Sequence, residues 1–268
     1  MSKIINLLKP LIDIIYHRRI LINTTISEIK KRYAGSLLGG VWAFLYPLLF
    51  LAVYATIYSA VFKVSYNDLN TNEYIVIIFC GLIPFLGFSE SITSGVVSVT
   101  ANAGLIKNTM FPIELIPVRT VLTVQMTHLS GTVILLIMLI SIGRISPFVL
   151  LCIPLWILQV MFEIGLVWIL SSINVLVKDL QNVVSVIMIM LMMLSPIAYP
   201  VDSIPATYGK FLKANPLFYF IVANQNILMY GRWPEESIIF SVLLLGVGFF
   251  VLGYQFFERM KLVFLDNV

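Results

Sequence analysis

The sequence predicts an all-α, polytopic membrane protein. Three observations carry this expectation. First, 60% of the 268 residues are hydrophobic and only 11% are charged, with a mean hydropathy of +0.99; an ordinary soluble domain carries about 25% charged residues. Second, long apolar stretches recur. Residues 39–62 contain no charged side chain, which exceeds the ~20 residues needed to cross a bilayer core. Third, seven of the 17 Lys and Arg precede that stretch, which places the N-terminus on the cytoplasmic side. The start of the chain lacks the ordered basic segment, short apolar run and small-residue cleavage site of a removable signal, so none is expected.

Residues 1–35 read as amphipathic helices at the cytoplasmic interface. Polar residues recur at Lys3, Asn6, Lys9, Asp13 and Tyr16, with Pro10 interrupting the pattern. Farther on, Ile22, Ile26, Ile29 and Tyr33 share one face and Glu28, Lys30, Lys31 and Arg32 carry charge. A basic amphipathic helix of this kind lies against membrane lipids. Residues 36–268 then form one membrane domain with six expected spans, at about 39–62, 74–99, 115–142, 148–177, 182–200 and 237–257.

The first span carries a row of aromatic residues: Tyr46, Phe50, Tyr54, Tyr58 and Phe62. Steps of four residues advance about 400°, so the row forms one slanted ridge roughly 24 Å long. Interfacial aromatics belong at the ends of a span, not along its length. Two readings stay open. The row is a packing ridge against a neighbouring helix, or it is the wall of a conduit whose ring faces stack on sugars.

The second span contains Gly81, Pro84 and Gly87, which predict a kinked or broken helix. Glu90 follows at membrane depth. Residues 105–112 form a short amphipathic cytoplasmic connection, read either as an interfacial helix offered to a soluble partner or as a plain loop. In the third span Arg119 is near enough to the cytoplasmic end to snorkel, and Gln125 and His128 lie deeper. The fourth span holds Gln159 and Glu163, which need partners inside the protein. Glu90, His128 and Glu163 are read first as hydrogen-bonded interhelical residues. Glu90 and Glu163 are expected to be isolated from other carboxylates. His128 has no neighbours at metal-ligand spacing, so no metal site is expected. Cys80 and Cys152 fall in apolar spans and read as small buried hydrophobes.

The fifth span is rich in methionine (Met188, Met190, Met192, Met193), suited to adaptable packing or to a channel wall. Pro196 and Pro200 forbid a regular end to it. Between spans five and six, two short outer-face re-entrant helices are expected, around 203–213 and 217–229, because neither is long enough to cross. The six-span path puts 12 basic residues inside and five outside, with both termini cytoplasmic.

The run Arg32-Tyr-Ala-Gly-Ser-Leu-Leu-Gly-Gly-Val-Trp42, with Pro47 after it, resembles the permeases of ABC transporters that export bacterial polysaccharides, including O-antigen, capsule and teichoic acid. The resemblance continues at Leu105-Ile-Lys-Asn-Thr-Met-Phe-Pro112, at Asn174-Val-Leu-Val-Lys-Asp179, at Ser195-Pro-Ile-Ala-Tyr199 and at Asn215-Pro216. Lys178 departs from the family's more usual Arg, and the two residues differ in ion-pair geometry. The resemblance implies a homodimeric permease in the bacterial inner membrane, served by two copies of a separate ATPase that binds ATP and Mg. It implies a lipid-linked polysaccharide substrate, most nearly O-antigen, and no nucleic acid. It makes Leu105, Ile106, Lys107, Asn108, Phe111 and Pro112 the surface coupled to the ATPase. It makes the stretch with Pro196, Tyr199, Pro200, Pro216 and Asn224 the outer gate.

The residues themselves agree. No Gly-x-x-x-x-Gly-Lys-Ser/Thr loop is present, so the chain is not expected to cradle ATP or to be an enzyme. No cofactor is expected in this chain. A membrane-embedded lipid-sugar transferase would want clustered carboxylates, which the separation of Glu90 and Glu163 disfavours. A similar permease carrying a drug or lipid is the second alternative, against which the aromatic row argues for sugar.

Overall fold

In lipid each backbone N–H and C=O must be satisfied within its own segment, and apolar runs of this length therefore become helices. The computed structural model describes residues 2–57, 70–108, 111–197, 209 and 212–267, with main chain alone at 2–8, 107–108, 262–263 and 265–267. The described residues are helical with short connections. In order they are α1 (Ser2–Tyr16), α2 (Arg18–Tyr33), α3 (Trp42–Thr56, entered by a 3-10 turn at Gly39–Val41), α4 (Thr71–Val96), α5 (Ser98–Ala101) and α6 (Ala103–Asn108). There follow α7 (Leu115–Ser141), α8 (Cys152–Leu176, entered by a 3-10 turn at Pro147–Leu151), α9 (Leu180–Leu194), α10 (Pro216–Leu228) and α11 (Glu236–Asn267).

Among the described residues, five helical stretches are long and apolar enough to cross a membrane: Gly39–Thr56, Thr71–Val96, Leu115–Ser141, Pro147–Leu176 and Glu236–Lys261. The expected fifth span is a 15-residue helix, Leu180–Leu194. Of the two expected short helices, the second is α10 at Pro216–Leu228; the first falls mostly outside the described residues.

Helix α4 is the centre of the bundle and packs against α7, α8, α9 and α10. The expected break does not occur: α4 is continuous from Thr71 to Val96 with Pro84 inside it. Pro84 removes one intrahelical bond, and neighbours pack around the helix. The glycines serve this packing instead. A Cβ on Gly81 would stand 3.0 Å from Ile221 of α10, and one on Gly87 would stand 3.0 Å from Nε2 of Gln125 on α7. Pro10 likewise fails to interrupt α1.

The most extensive helix pair is α8 with α11, and its seam is made of glycine. A Cβ on Gly165 would lie 2.3 Å from the Phe249 carbonyl oxygen, and one on Gly253 would lie 2.2 Å from the Gly165 carbonyl oxygen. Gly246 meets Leu158 in the same way, at 2.8 Å. Lipid offers no hydrophobic drive for helices to associate, so close backbone approach and dispersion must supply it.

A buried polar node joins α4, α7 and α8. The Glu163 side chain has no exposure. Its carboxyl oxygens accept from Nε2 of Gln125 at 2.8 and 2.7 Å, and Oε1 accepts from Nε2 of Gln159 at 2.9 Å. Gln159 also donates to the Pro84 carbonyl at 2.9 Å, and Trp156 Nε1 donates to Oε1 of Gln125 at 2.9 Å. Each expected intramembrane polar group here finds its partner in another.

One sequence expectation changes at the α2 end. Arg119 does not snorkel: it is buried and donates to Oδ1 of Asn102 at 2.8 Å. Helix α2 packs on the bundle through Leu21 and Thr25, while Ile22 and Ile26 are 54% and 47% exposed. The isoleucine face thus points away from the protein, as lipid contact requires.

Helix α3 is the outlier, since none of its residues is buried. Pro47 leaves the Ala43 carbonyl without its usual helical donor, and the hydroxyl of Ser130 on α7 donates to that oxygen at 2.5 Å. The two ends of the bundle are also fixed. At one end Arg144 Nη2 meets Oε1 of Glu73 at 2.7 Å, and Gly231 lies beside Ser146. At the other, Lys9 meets Glu258 at 3.1 Å and Lys261 meets Glu114 at 2.8 Å.

Replacing Gly253 by Leu should force α8 and α11 apart and cost on the order of 1–3 kcal/mol or more. Gly248, whose Cβ direction is open, should accept Leu with little change; thermal unfolding of both variants in one detergent checks the contrast. Glu163→Leu strands buried amide donors, each at about 1–3 kcal/mol, so it should lower the melting temperature clearly more than Glu163→Gln, which keeps an acceptor oxygen.

Candidate functional site

The candidate site follows α3 from the α2 end. Three of the expected rungs are described. The Tyr46 and Phe50 rings are tilted with centroids 5.4 Å apart, and the Phe50 and Tyr54 rings stack at 5.9 Å and 21°. The row is therefore one continuous aromatic surface over these rungs. Tyr58 and Phe62 lie outside the described residues. Phe50 and Tyr54 rest partly against the core, and Tyr46 is 50% exposed.

A cavity of about 300 Å³ opens beside the first rung. Arg32, Trp42, Tyr46, Glu90, His128 and Ser130 are among its lining residues. Glu90 takes interhelical partners here, in line with its first reading. Arg32, at the end of α2, forms an ion pair with Oε1 of Glu90, and His128 Nε2 lies 2.6 Å from Oε2. A half-buried carboxylate needs partners inside the protein, and the Arg32 guanidinium from α2 and the His128 imidazole from α7 supply them. The mouth of the aromatic row thus combines fixed charges with three rings. Arg32 was not among the residues selected from sequence. Its signal was a carboxylate at membrane depth that required a partner.

The expected coupling segment is a six-residue helix, Ala103–Asn108, with Phe111 and Pro112 beyond its end. Ile106 is buried, and Leu105 and Phe111 pack partly against the core. These apolar residues therefore fix the segment to the bundle. The side chains of Lys107 and Asn108 lie outside the described residues. Glu114, just after the segment, binds Lys261 of α11, and the Glu114 carbonyl accepts from Trp168 Nε1 at 3.0 Å. Lys261 also pairs with Glu258, which holds Lys9 of α1. A chain of ion pairs thus ties the segment to both ends of the polypeptide.

Of the expected gate residues, Tyr199 and Pro200 lie outside the described residues. Pro196 is buried and its carbonyl accepts from Nε2 of Gln225 on α10 at 3.0 Å. Pro216 starts α10, where Asn215 caps the helix by accepting from the Leu217 amide at 2.9 Å. Asn224 donates to the Phe220 carbonyl at 2.9 Å and lines an apolar cavity of about 430 Å³. Both cysteines line that same cavity and both are free thiols. Among the described residues no cluster of His, Cys, Asp and Glu could hold a metal ion.

Known proteins place this architecture. The ABC-2 type transporter family matches residues 21–229. The chain is similar to an O-antigen export system permease protein RfbA of Klebsiella pneumoniae, at 30% identity over 92% of this chain and 94% of the relative. It is 26% identical to the O-antigen export system permease protein RfbA of Myxococcus xanthus over 96% of this chain and 98% of that protein. It is also 26% identical to the polysialic acid transport protein KpsM of Escherichia coli, over 78% of this chain and 81% of the relative. With its apolar spans, its internally satisfied polar node and this match, the chain belongs to the ABC-2 type transporter family as a multi-pass membrane permease.

Proposed function

We propose that this permease exports a lipid-linked polysaccharide across the bacterial inner membrane, and that the polymer is an O-antigen. The observation that carries the reading is the state of α3. It is a membrane-length helix with no buried residue, and it presents Tyr46, Phe50 and Tyr54 as one ring surface. A ridge used up in packing within the protomer would be buried there. This one is only partly used: Phe50 and Tyr54 rest partly against the core while Tyr46 is half exposed, and ring faces suit the C–H faces of sugars. Equivalent weak contacts along a helix let a polymer advance without a deep trap. O-antigen is favoured over capsule because the O-antigen relatives align over 92–96% of the chain and the polysialic acid relative over 78%.

The working unit is a homodimer with two copies of a separate ATPase that binds ATP and Mg. Helices α3 and α9 carry exposed apolar surface, including Leu48, Val53, Ile189 and Met193, and a second copy facing them encloses a conduit. In this reading the path has six spans, with α9 in the fifth and α10 re-entering from the outer face. Both termini are cytoplasmic, which sets the basic α2 end inside. The ATPase docks at residues 103–112. Glu114 and Lys261 relay the docking to α11.

Deleting the gene should remove long-chain polysaccharide from the cell surface and leave lipid-linked polymer inside. Retention of normal surface polysaccharide would overturn the reading. Stacking contributes about 0.5–1.5 kcal/mol per ring, so single changes of Tyr46, Tyr54 or Tyr58 to Leu should slow export about two- to tenfold. All three together should nearly stop it while basal ATPase turnover of the complex persists. A triple variant that loses melting temperature yet exports normally per molecule would assign the row to packing.

A further inference from the structure

A second concave site lies at the end of the bundle opposite Arg32 and Glu90, away from the α3 row. It is a pocket of about 470 Å³ between α10, the 229–235 connection and the start of α11. Its lining combines Tyr219, Tyr230 and Trp233 with Arg232, Glu235 and Asn226. The polar groups are held in place. Gly231 turns the chain with φ +56°, and Arg232 is anchored twice to Asn226: its amide donates to the Asn226 carbonyl at 3.1 Å, and its Nε donates to Oδ1 at 2.7 Å. The guanidinium then sits 5.0 Å from the centroid of the Tyr230 ring. Tyr219 is fixed by donating to the Lys213 carbonyl at 2.9 Å. Trp233 is 57% exposed. Rigid rings beside oriented donors and an acceptor form a preorganised site.

We propose that this pocket is an exit-side glycan site that binds one or two sugar units of the exported polymer. The proposal rests on the polysaccharide reading above and extends it to residues outside the α3 row. Sugars offer hydroxyls that both donate and accept, and C–H faces that lie flat on rings. The pocket offers Arg232 as donor, Glu235 as acceptor and the rings of Tyr219, Tyr230 and Trp233. An acyl chain has no use for those charges. The cavity lined by Cys80, Cys152 and Trp156 is nearly all apolar by comparison. Interfacial Trp and Tyr that merely anchor a span face lipid; here they line the same concavity as an arginine fixed by two hydrogen bonds.

The test uses the full permease–ATPase complex in nanodiscs, with Ser237→Cys as a reporter. Ser237 lines the pocket and is exposed, whereas Cys80 is buried and Cys152 half-buried among apolar residues. The probe is lipid-free polysaccharide purified from the same cells, with dextran as an unrelated glycan. The cell's own polysaccharide should slow labelling of the reporter by a membrane-impermeant maleimide at least fivefold. Dextran should leave the rate unchanged. Adding Trp233→Ala or Arg232→Ala should restore fast labelling. Trp233→Phe, which keeps a ring, should retain most of the protection. Unchanged labelling with saturating polysaccharide would overturn the site, and so would protection that survives both alanine changes. If gene deletion abolishes surface polysaccharide in those same cells, that failure belongs to the pocket alone. If deletion leaves the surface unchanged, the polysaccharide reading fails and the site falls with it.

Discussion

A polar group in hydrocarbon must find its partner inside the protein, and Glu163 is where this bundle meets that demand most fully. Its carboxyl oxygens gather Gln125 from α7 and Gln159 from its own helix, and Gln159 reaches on to the backbone of α4. Sliding any of these helices by one turn, 5.4 Å, would strand several buried donors at once. The register of α4, α7 and α8 is therefore set by hydrogen bonds, whereas apolar packing alone would tolerate slippage. Two residues beyond Glu163, Gly165 opens another face of α8 to backbone contact with α11. Within one turn α8 is locked on one side by polar bonds and on another by the absence of side chains.

That rigid unit makes the looseness of α3 meaningful. α3 is tied to α7 through the Ser130 hydroxyl at the carbonyl freed by Pro47, and the chain just before it is tied to α4 and α7 through Arg32, Glu90 and His128. No residue of α3 is buried. The ion pairs from Glu114 through Lys261 and Glu258 to Lys9 run along the opposite side, into α11 and α1. On the proposed reading, a force applied at residues 103–112 would reach the closely packed pair of α8 and α11 through these ion pairs. Rigid-body motion of a packed unit is the usual way a local contact becomes a large displacement. On the proposed reading, widening a conduit requires such a unit to move against a wall that is not fused to it.

The fold class was legible because composition and the length of apolar runs leave no other soluble or fibrous solution. The aromatic row was legible because a period of four is visible without any structure. Tertiary choices were not. Pro84 and its flanking glycines predict a broken helix from local rules, but α4 is surrounded, and Gly81 and Gly87 make room for Ile221 and Gln125. Arg119 sits where a side chain could snorkel, yet Asn102 gave it an internal acceptor. The Arg32–Glu90–His128 cluster joins three segments, and no one-dimensional spacing encodes a meeting of that kind. The 219–235 pocket is not legible in the sequence, because Tyr219, Tyr230, Arg232 and Trp233 converge only once α10 and the start of α11 are folded together.

Charge along the proposed path follows a simple physical division. Residues 39–62 carry no ionised side chain, so a wall of the proposed kind cannot discriminate by electrostatics. Ring faces accept any sugar with a flat C–H surface, which gives passage and little selection. Specificity is a difference of affinities and needs oriented polar groups. Those groups are concentrated at the two ends: Arg32, Glu90 and His128 beside the first ring, and Arg232, Glu235 and Asn226 at the far pocket. A neutral aromatic middle between two charged ends can carry a long polymer of repeating units, because recognition is confined to where the chain enters and leaves. The same middle makes mutation of one rung mild and mutation of an end residue specific to the polymer.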